Sequence, residues 1–424
     1  MKTRTKLAVA VSAALWLVPI GQAFAGIDFP AGDWKVDISG NVNAFYVGAN
    51  CDNGANTAVV GGLACTGNDS SAVRNGLLPA ALVFSGTSRQ GDFDVGVTIG
   101  LYPGINSSAA AGVNGAGLPQ ALQTPGIDAR QAFFTFGDAS WGTIKMGRDI
   151  GIFAKDAILD DMTLLGVGSV GNNSAPGNTS LGRIGIGYIY TDWLPQITYI
   201  SPNFGGFVFS GGIFQPMNAV GYATYSRHDS PQLQAGVSWA WGDAKVDSVT
   251  GKVWFDVVTQ KAQATSADQI ANGVGSADSF TGSGWDGGIK VDVGGFEALL
   301  YGYSGEGLGT TGLYILPTSA AGEKRDSNGG YAQATYKFDR LKLGVSYGES
   351  KLDLAPDEEL VINPLTNNYA SNLVKQNKSG VFGVYYSLTK SITLVGEYVD
   401  TKSKAWDGNS ADEQTYVLGG IIFF

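Results

Sequence analysis

The chain has 424 residues, with 62 Gly, two Cys, a single His and a formal net charge of −10. Charged residues make up 15%, below the ~25% of soluble domains, and this acidic balance argues against nucleic-acid binding, which rests on basic surface. Hydrophobic residues reach 44% but are spread in alternation, which fits one large sheet with two unlike faces better than several compact cores.

At the N-terminus, Lys2, Arg4 and Lys6 precede an apolar stretch from Leu7 to Ile20, and Ala23-Phe24-Ala25 has the small-x-small cleavage pattern. Residues 1–25 read as a secretory signal peptide, too short in its apolar part for the ~20 residues of a membrane helix. The domain expected after cleavage, 26–424, carries a net charge of −13.

The first strand places Trp34, Val36, Ile38, Gly40, Val42, Ala44 and Tyr46 on one face and Lys35, Asp37, Ser39, Asn41 and Asn43 on the other. Its length is that of a tilted membrane strand. Cys51 and Cys65 follow in a Gly/Asn/Ala-rich segment; export to an oxidising compartment makes a disulfide between them the expectation. Two Cys and a distant lone His are too few for a metal site.

The alternation recurs. Phe93, Val95, Val97, Ile99 and Leu101 oppose Asp94, Gly96, Thr98 and Gly100; Leu233, Ala235, Val237, Trp239 and Trp241 oppose Gln232, Gln234, Gly236 and Ser238; Trp285, Ile289, Val291 and Val293 oppose Asp286, Lys290 and Asp292. Short turns such as Gly294-Gly295 and Asp339-Arg340 alternate with long polar segments near 49–75, 103–127, 150–180, 216–231, 263–282, 304–328, 350–378 and 401–413. Short turns at one rim and long loops at the other mark an outer-membrane β-barrel, all-β and antiparallel.

The alternating runs first sum to an odd number. Both termini on the periplasmic side require an even one, so 181–192 and 195–201, separated only by Trp193-Leu194-Pro195, are joined into one kinked strand. That gives sixteen strands and eight long loops. The last strand puts Tyr416, Leu418, Ile422 and Phe424 on one apolar face. Trp141, Trp193, Tyr199, Phe204, Trp285, Phe338 and Phe424 fall near strand ends, where aromatic girdles belong.

Several motifs resemble one family. Ala129-Arg130-Gln131-Ala132-Phe133-Phe134, with Phe136-Gly137 and Trp141-Gly142-Thr143-Ile144-Lys145-Met146-Gly147-Arg148-Asp149, is similar to the fourth and fifth strands of the general (diffusion) porins of Gram-negative bacteria. Tyr199-Ile200-Ser201-Pro202-Asn203-Phe204-Gly205-Gly206-Phe207 resembles their turn after the sixth strand, and Phe424 their terminal residue. The resemblance implies a homotrimer of sixteen-stranded barrels in the outer membrane, in contact with lipid and lipopolysaccharide. Each barrel passes small hydrophilic solutes and ions, without cofactor or catalysis. It implies a third loop, about 150–180, folded into the pore with Asp156, Asp160 and Asp161 as constriction acids. Arg130 would face them from the fourth strand and Arg183 from the sixth. Arg148 would serve the trimer contact, and Phe424 would signal to the barrel-assembly machinery. Lys35, Lys290 and Lys342 would line the lumen nearer its ends. Asn41 and Ala81 stand where the family often carries Lys and Arg, so the basic cluster is thinner and the sign of ion selectivity is open.

Independently of any family, opposed charges across a water-filled barrel limit passage and set a strong transverse field between low-dielectric walls. Rival readings are weaker. Two G-x-G-x-x-G matches, Gly166–Gly171 and Gly307–Gly312, lack the following helix that a dinucleotide fingerprint needs. The lone His228, beside Asp229, resembles a loop tip more than a catalytic base. A substrate-specific channel for sugars or organic acids remains the alternative, with Phe134, Tyr301 and Tyr331 as possible lumen aromatics; a non-conducting adhesin would show no current.

Overall fold

The computed structural model describes residues 26–105, 126–171, 173, 178–243, 248–273, 275–359, 362–363, 368–369 and 371–424; the expected signal peptide lies outside them. Sixteen antiparallel strands form the wall: β1 (Trp34–Cys51), β2 (in two pieces, Ser70–Arg74 and Ala81–Gln90), β3 (Phe93–Pro103), β4 (Ile127–Asp138), β5 (Gly142–Ile150), β6 (Trp193–Ile200), β7 (Phe207–Phe214), β8 (Gln232–Trp241), β9 (Val249–Gln263), β10 (Ser279–Val293), β11 (Phe296–Glu306), β12 (Asp326–Phe338), β13 (Leu341–Leu352), β14 (Val374–Ser387), β15 (Ile392–Ala405) and β16 (Ser410–Phe423). Each pairs with the next. β16 pairs back onto β1, from Asn41 opposite Phe423 to Cys51 opposite Glu413, and so closes the barrel. Closure satisfies the ladder hydrogen bonds that an open edge would leave free.

Alternation fixes the two faces. On β16, Tyr416, Leu418, Ile422 and Phe424 are exposed outside, while Thr415, Val417, Ile421 and Phe423 are buried within. A short strand, Ile27–Ala31, was not foreseen. It pairs with Trp34–Ile38 and continues the line of β16 past Phe424, whose N–H and C=O pair with Gly40 at 3.1 and 2.9 Å.

Short turns gather at one rim and long connections at the other, with two departures from expectation. The segment 401–413 is not a long loop: β15 runs to Ala405, β16 starts at Ser410, and only 406–409 turn. Its outward residues are polar, and Lys402 and Asp412 pair there at 3.1 Å. A strand that rises above the apolar band loses the apolar half of its alternation, so hydropathy does not mark it. The segment 181–192 is not wall either. Ile184, Ile186 and Tyr188 are buried inside the barrel, and β6 begins only at Trp193. The count of sixteen stands because one wall strand still follows that segment.

Two aromatic assignments also change. Trp193 is buried and packs on Tyr102 with ring centroids 5.8 Å apart, so it is no girdle residue. Phe134 is exposed on the outer face and does not reach the lumen, whereas Tyr301 and Tyr331 point inward and are buried. Cys51 and Cys65 are joined by a disulfide at the long-loop rim.

Candidate functional site

The connection after β5, described over 151–171, 173 and 178–192, folds into the barrel. Ala154 adopts a left-handed conformation (φ 55°) just ahead of helix α1 (Lys155–Leu159), and a 3-10 turn (Met162–Leu165) follows. Backbone groups taken out of water need partners, and here inward side chains of the wall supply them. Gln234 Oε1 on β8 accepts from the N–H of Ile152 and Phe153 (2.6 and 2.9 Å). Asp286 on β10 accepts from Ala154 N–H (2.7 Å). On β12, Tyr331 donates its hydroxyl to the Ala157 carbonyl (2.6 Å). Gln333, two residues on, accepts from Met162 N–H (2.9 Å) and donates to the Asp160 carbonyl (2.7 Å).

The loop carboxylates are paired one by one. Lys252 of β9 donates to Asp156. Lys290 of β10 lies 3.1 Å from Asp160 and 3.0 Å from Glu297, on the part of the wall that leads into the short turn Gly294-Gly295. Asp161 caps the 3-10 turn, accepting from Thr163 N–H (2.9 Å), and accepts from the Tyr188 hydroxyl (3.2 Å). Burial raises the Asp160 and Asp161 carboxyls above the ordinary range, against the pull of Lys290 and Arg183 respectively. Burial opposes ionisation of Asp156 too, but Lys155 and Lys252 outweigh it and leave that carboxyl below its usual value. Arg183 was expected on the sixth strand; it stands instead on the returning leg of the loop. It donates to Ser346 Oγ (2.6 Å) and the Ser379 carbonyl (3.2 Å), with its guanidinium 6.0 Å from the Tyr331 ring.

Between its two legs the loop crosses to the opposite wall. Leu164, Leu165, Val167 and Val170 join one buried cluster with Phe45 and Val47 of β1, Val395 and Val399 of β15, and Val417 and Ile421 of β16. Glu397 of β15 accepts from the N–H of Val167 and Gly168 (2.8 and 2.9 Å) and from the Tyr385 hydroxyl (2.8 Å). A Cβ on Gly166 would overlap the Glu397 carboxylate, so the first glycine of the discarded G-x-G-x-x-G match permits close backbone approach to the wall. The break in β2 turns inward to meet this crossing. Leu77 N–H donates to the Gly166 carbonyl and Ser180 N–H to the Gly76 carbonyl, both at 2.9 Å. One side of the lumen is therefore packed protein.

On β4 and β5 a polar network faces inward. Arg130 donates to Asp128 (2.8 Å) and Asn178 (3.2 Å) and lies 5.5 Å from the Tyr102 ring. Tyr102 donates to Gln131 (2.6 Å), Gln131 donates to Asp149 (3.1 Å), and Lys145 pairs with Asp149 (2.6 Å). Among the described residues, Arg130 forms no ion pair with the three loop acids. Solvent reaches 29% of the Lys252 side chain and 14% of Lys145, against none of Arg183. Arg148 shares the outward parity of Ile144 and Met146. His228 bonds Asn218 at 3.1 Å. Among the described residues no group of three or more His, Cys, Asp or Glu is placed to hold a metal ion.

Gln234, Lys252, Asp286, Tyr331, Gln333 and Glu397 were not singled out as loop anchors from sequence. Their signal was a long polar or phenolic side chain near the middle of an inward face, which also describes a solvated wall.

A family model described as Gram-negative porin matches residues 8–405. The chain belongs to the Gram-negative porin family. In solved structures, the outer membrane channel DcaP of Acinetobacter baumannii superposes with a TM-score of 0.66 at 18% identity, covering 93% of this chain and 99% of that one. OmpF of Salmonella typhi, complexed with daunomycin, gives 0.53 at 14% identity over 94% and 100%. The in-vitro-folded trimer form of OmpT of Vibrio cholerae gives 0.52 at 11% over 92% and 99%. These likenesses show a shared fold. No curated protein sequence matches the chain. The protein is thus an outer-membrane porin, a barrel that carries small hydrophilic solutes and ions by passive diffusion.

Proposed function

We propose that permeation is set by the in-folded segment 151–192, and that the path runs between it and the β3–β6 wall. The observation that carries this reading is the inward polar network of Arg130, Gln131, Lys145 and Asp149, on a wall that faces a segment packed apolar against β1, β15 and β16. Arg130, Lys145 and Asp149 would form one edge of the aperture and Asp156 with Lys252 the other. Asp160, Asp161 and Arg183 would hold the loop in place, with Asp161 opposing the Arg183 charge. The protein then acts without catalysis or cofactor: it orients dipolar solutes between fixed charges and lets water and ions pass.

The remaining parts of the reading follow the family. Residues 1–25 would direct export and be removed, leaving 26–424 as the barrel. Short turns would face the periplasm and long loops the exterior. Barrels would assemble as homotrimers through a face containing Arg148, supported by the trimer form solved for OmpT. Phe424 would guide insertion by the assembly machinery. The crossing also favours a second reading, a channel selective for one solute class, because it narrows the lumen more than a loop lying along the wall would.

Liposome swelling with neutral sugars of increasing size tests both. General diffusion predicts rates that fall smoothly with size. A sharp preference for one solute of equal size favours the selective channel, and no swelling by any sugar, nor by salts of organic acids, from a folded barrel contradicts both.

A further inference from the structure

The sixth long connection, 307–325 between β11 and β12, also turns into the barrel. Leu308, Leu313 and Tyr314 are buried in one interior cluster with Phe280 of β10 and Tyr301 and Tyr303 of β11. The wall leaves room for them. Gly282 and Gly284 share the inward parity of Asp286 on β10. A Cβ on Gly284 would overlap Leu308 Cδ1, and one on Gly282 would overlap the Gly307 carbonyl and the edge of the Tyr314 ring. The seat therefore exists only while both positions lack a side chain.

Two other loops hold the segment down by backbone. Tyr190, on the returning leg of the infolded connection after β5, donates its N–H to the Thr311 carbonyl (2.8 Å) and accepts from Leu313 N–H (3.2 Å). Val220, in the connection after β7, donates to the Tyr314 carbonyl (3.0 Å) and accepts from Leu316 N–H (2.7 Å). The base is pinned separately. Gly307 N–H donates to the Arg325 carbonyl (2.8 Å), Arg325 N–H donates to the Pro317 carbonyl (3.0 Å), and the Arg325 guanidinium pairs with Glu358.

Strain and charge set this segment apart. Thr311, Tyr314 and Leu316 hold φ at 67°, 66° and 60°, a left-handed conformation that costs energy for residues with such side chains, most of all for β-branched Thr311. Backbone strain of this kind persists only while surrounding contacts impose it, so unseating relieves it. Residues 307–322 contain no Asp, Glu, Lys, Arg or His, whereas Asp156 and Asp160 of the other infolded connection are tied to wall lysines.

We propose that 307–316 is a lid that alternates between this seated state and a lifted one. Gly307 and Pro317 stay pinned by Arg325, and the segment between them lifts toward the long-loop rim. Lifting opens the face of Phe280, Tyr301 and Tyr303 to the mouth and widens the lumen beside β10 and β11. This route is separate from the aperture beside β3–β6. The membrane potential does work only on charge, so lifting of an uncharged lid is independent of voltage.

Single-channel recording of the full barrel in planar bilayers tests the lid. Wild type should show a main level and a higher one, with the fraction of time in the higher level unchanged by the size or sign of the voltage. Gly282→Val, which fills the seat, should raise that fraction several-fold. Thr311→Asn should lower it several-fold, because Asn takes the left-handed conformation more readily. Oxidised G284C/L308C, with its cross-link verified by mass, should lose the higher level and regain it in reductant, with wild type in the same reductant as the control. Heat-modifiable mobility shows that each variant is folded. A single level in wild type, a higher level whose occupancy follows voltage, or one that survives the verified cross-link overturns the proposal. So does a folded Gly282→Val channel with the wild-type pattern of levels, whether or not the cross-link forms.

Discussion

Lys290 shows how much one side chain can hold. It bridges Asp160 on the loop and Glu297 on the wall, at 3.1 and 3.0 Å, with all three side chains largely out of water. Removing one partner of a buried ion group leaves uncompensated charge and costs about 3–5 kcal/mol. Lys290→Met should therefore loosen the loop and add open-channel current noise, and Asp160→Asn in the same chain should recover part of the quiet state. Unaltered noise in Lys290→Met would mean the bridge does not hold the loop. Glu397 makes a parallel case with three accepted hydrogen bonds. Glu397→Gln removes a charged acceptor worth roughly 1.5–3 kcal/mol per bond, and should expose 164–171 to protease while the barrel stays heat-modifiable. At the aperture, Arg130→Gln should shift the reversal potential under a KCl gradient toward cation preference, because a wall cation is lost. No shift would place Arg130 outside the path.

At the scale of elements, the membrane-height strands were legible because lipid demands apolar residues at every second position. Phe93–Leu101 and Tyr416–Phe424 read directly. Elements shaped by other demands were not. The upper turns of β15 and β16 stand outside the apolar band, so Lys402, Lys404 and Asp412 read as loop. Segment 181–192 alternates because its apolar residues fill the barrel interior, and period-two hydropathy cannot tell an inner core from a lipid face. That ambiguity also misplaced Arg183. Asp156, Asp160 and Asp161 lie on the infolding segment, but Asp156 and Asp160 pair with Lys252 and Lys290 of the wall, more than 90 positions away, which local pattern cannot register. β16 itself carries a prediction. Phe424 pairs with Gly40 by both backbone groups and ends the outward apolar row, so deleting it should lower the yield of folded protein in the outer membrane. Undiminished yield would remove it as an assembly signal.

The whole molecule combines a wall built for lipid with an interior that is partly a soluble-protein core. Closure by β16 on β1 meets the backbone requirement in lipid. The inward apolar residues of β1, β15 and β16 then need cover, and the crossing of 151–192 supplies it together with the break in β2. On the proposed reading the aperture is thereby pushed to the polar side of the barrel. The central claim is that this crossing, held by wall side chains, limits flow. The most direct measurement is single-channel conductance in planar bilayers for wild type and for a variant in which 153–190 is replaced by a short Gly-Ser link. We predict conducting wild-type channels and a several-fold larger conductance in the heat-modifiable variant. Equal conductance from two folded barrels would contradict the account.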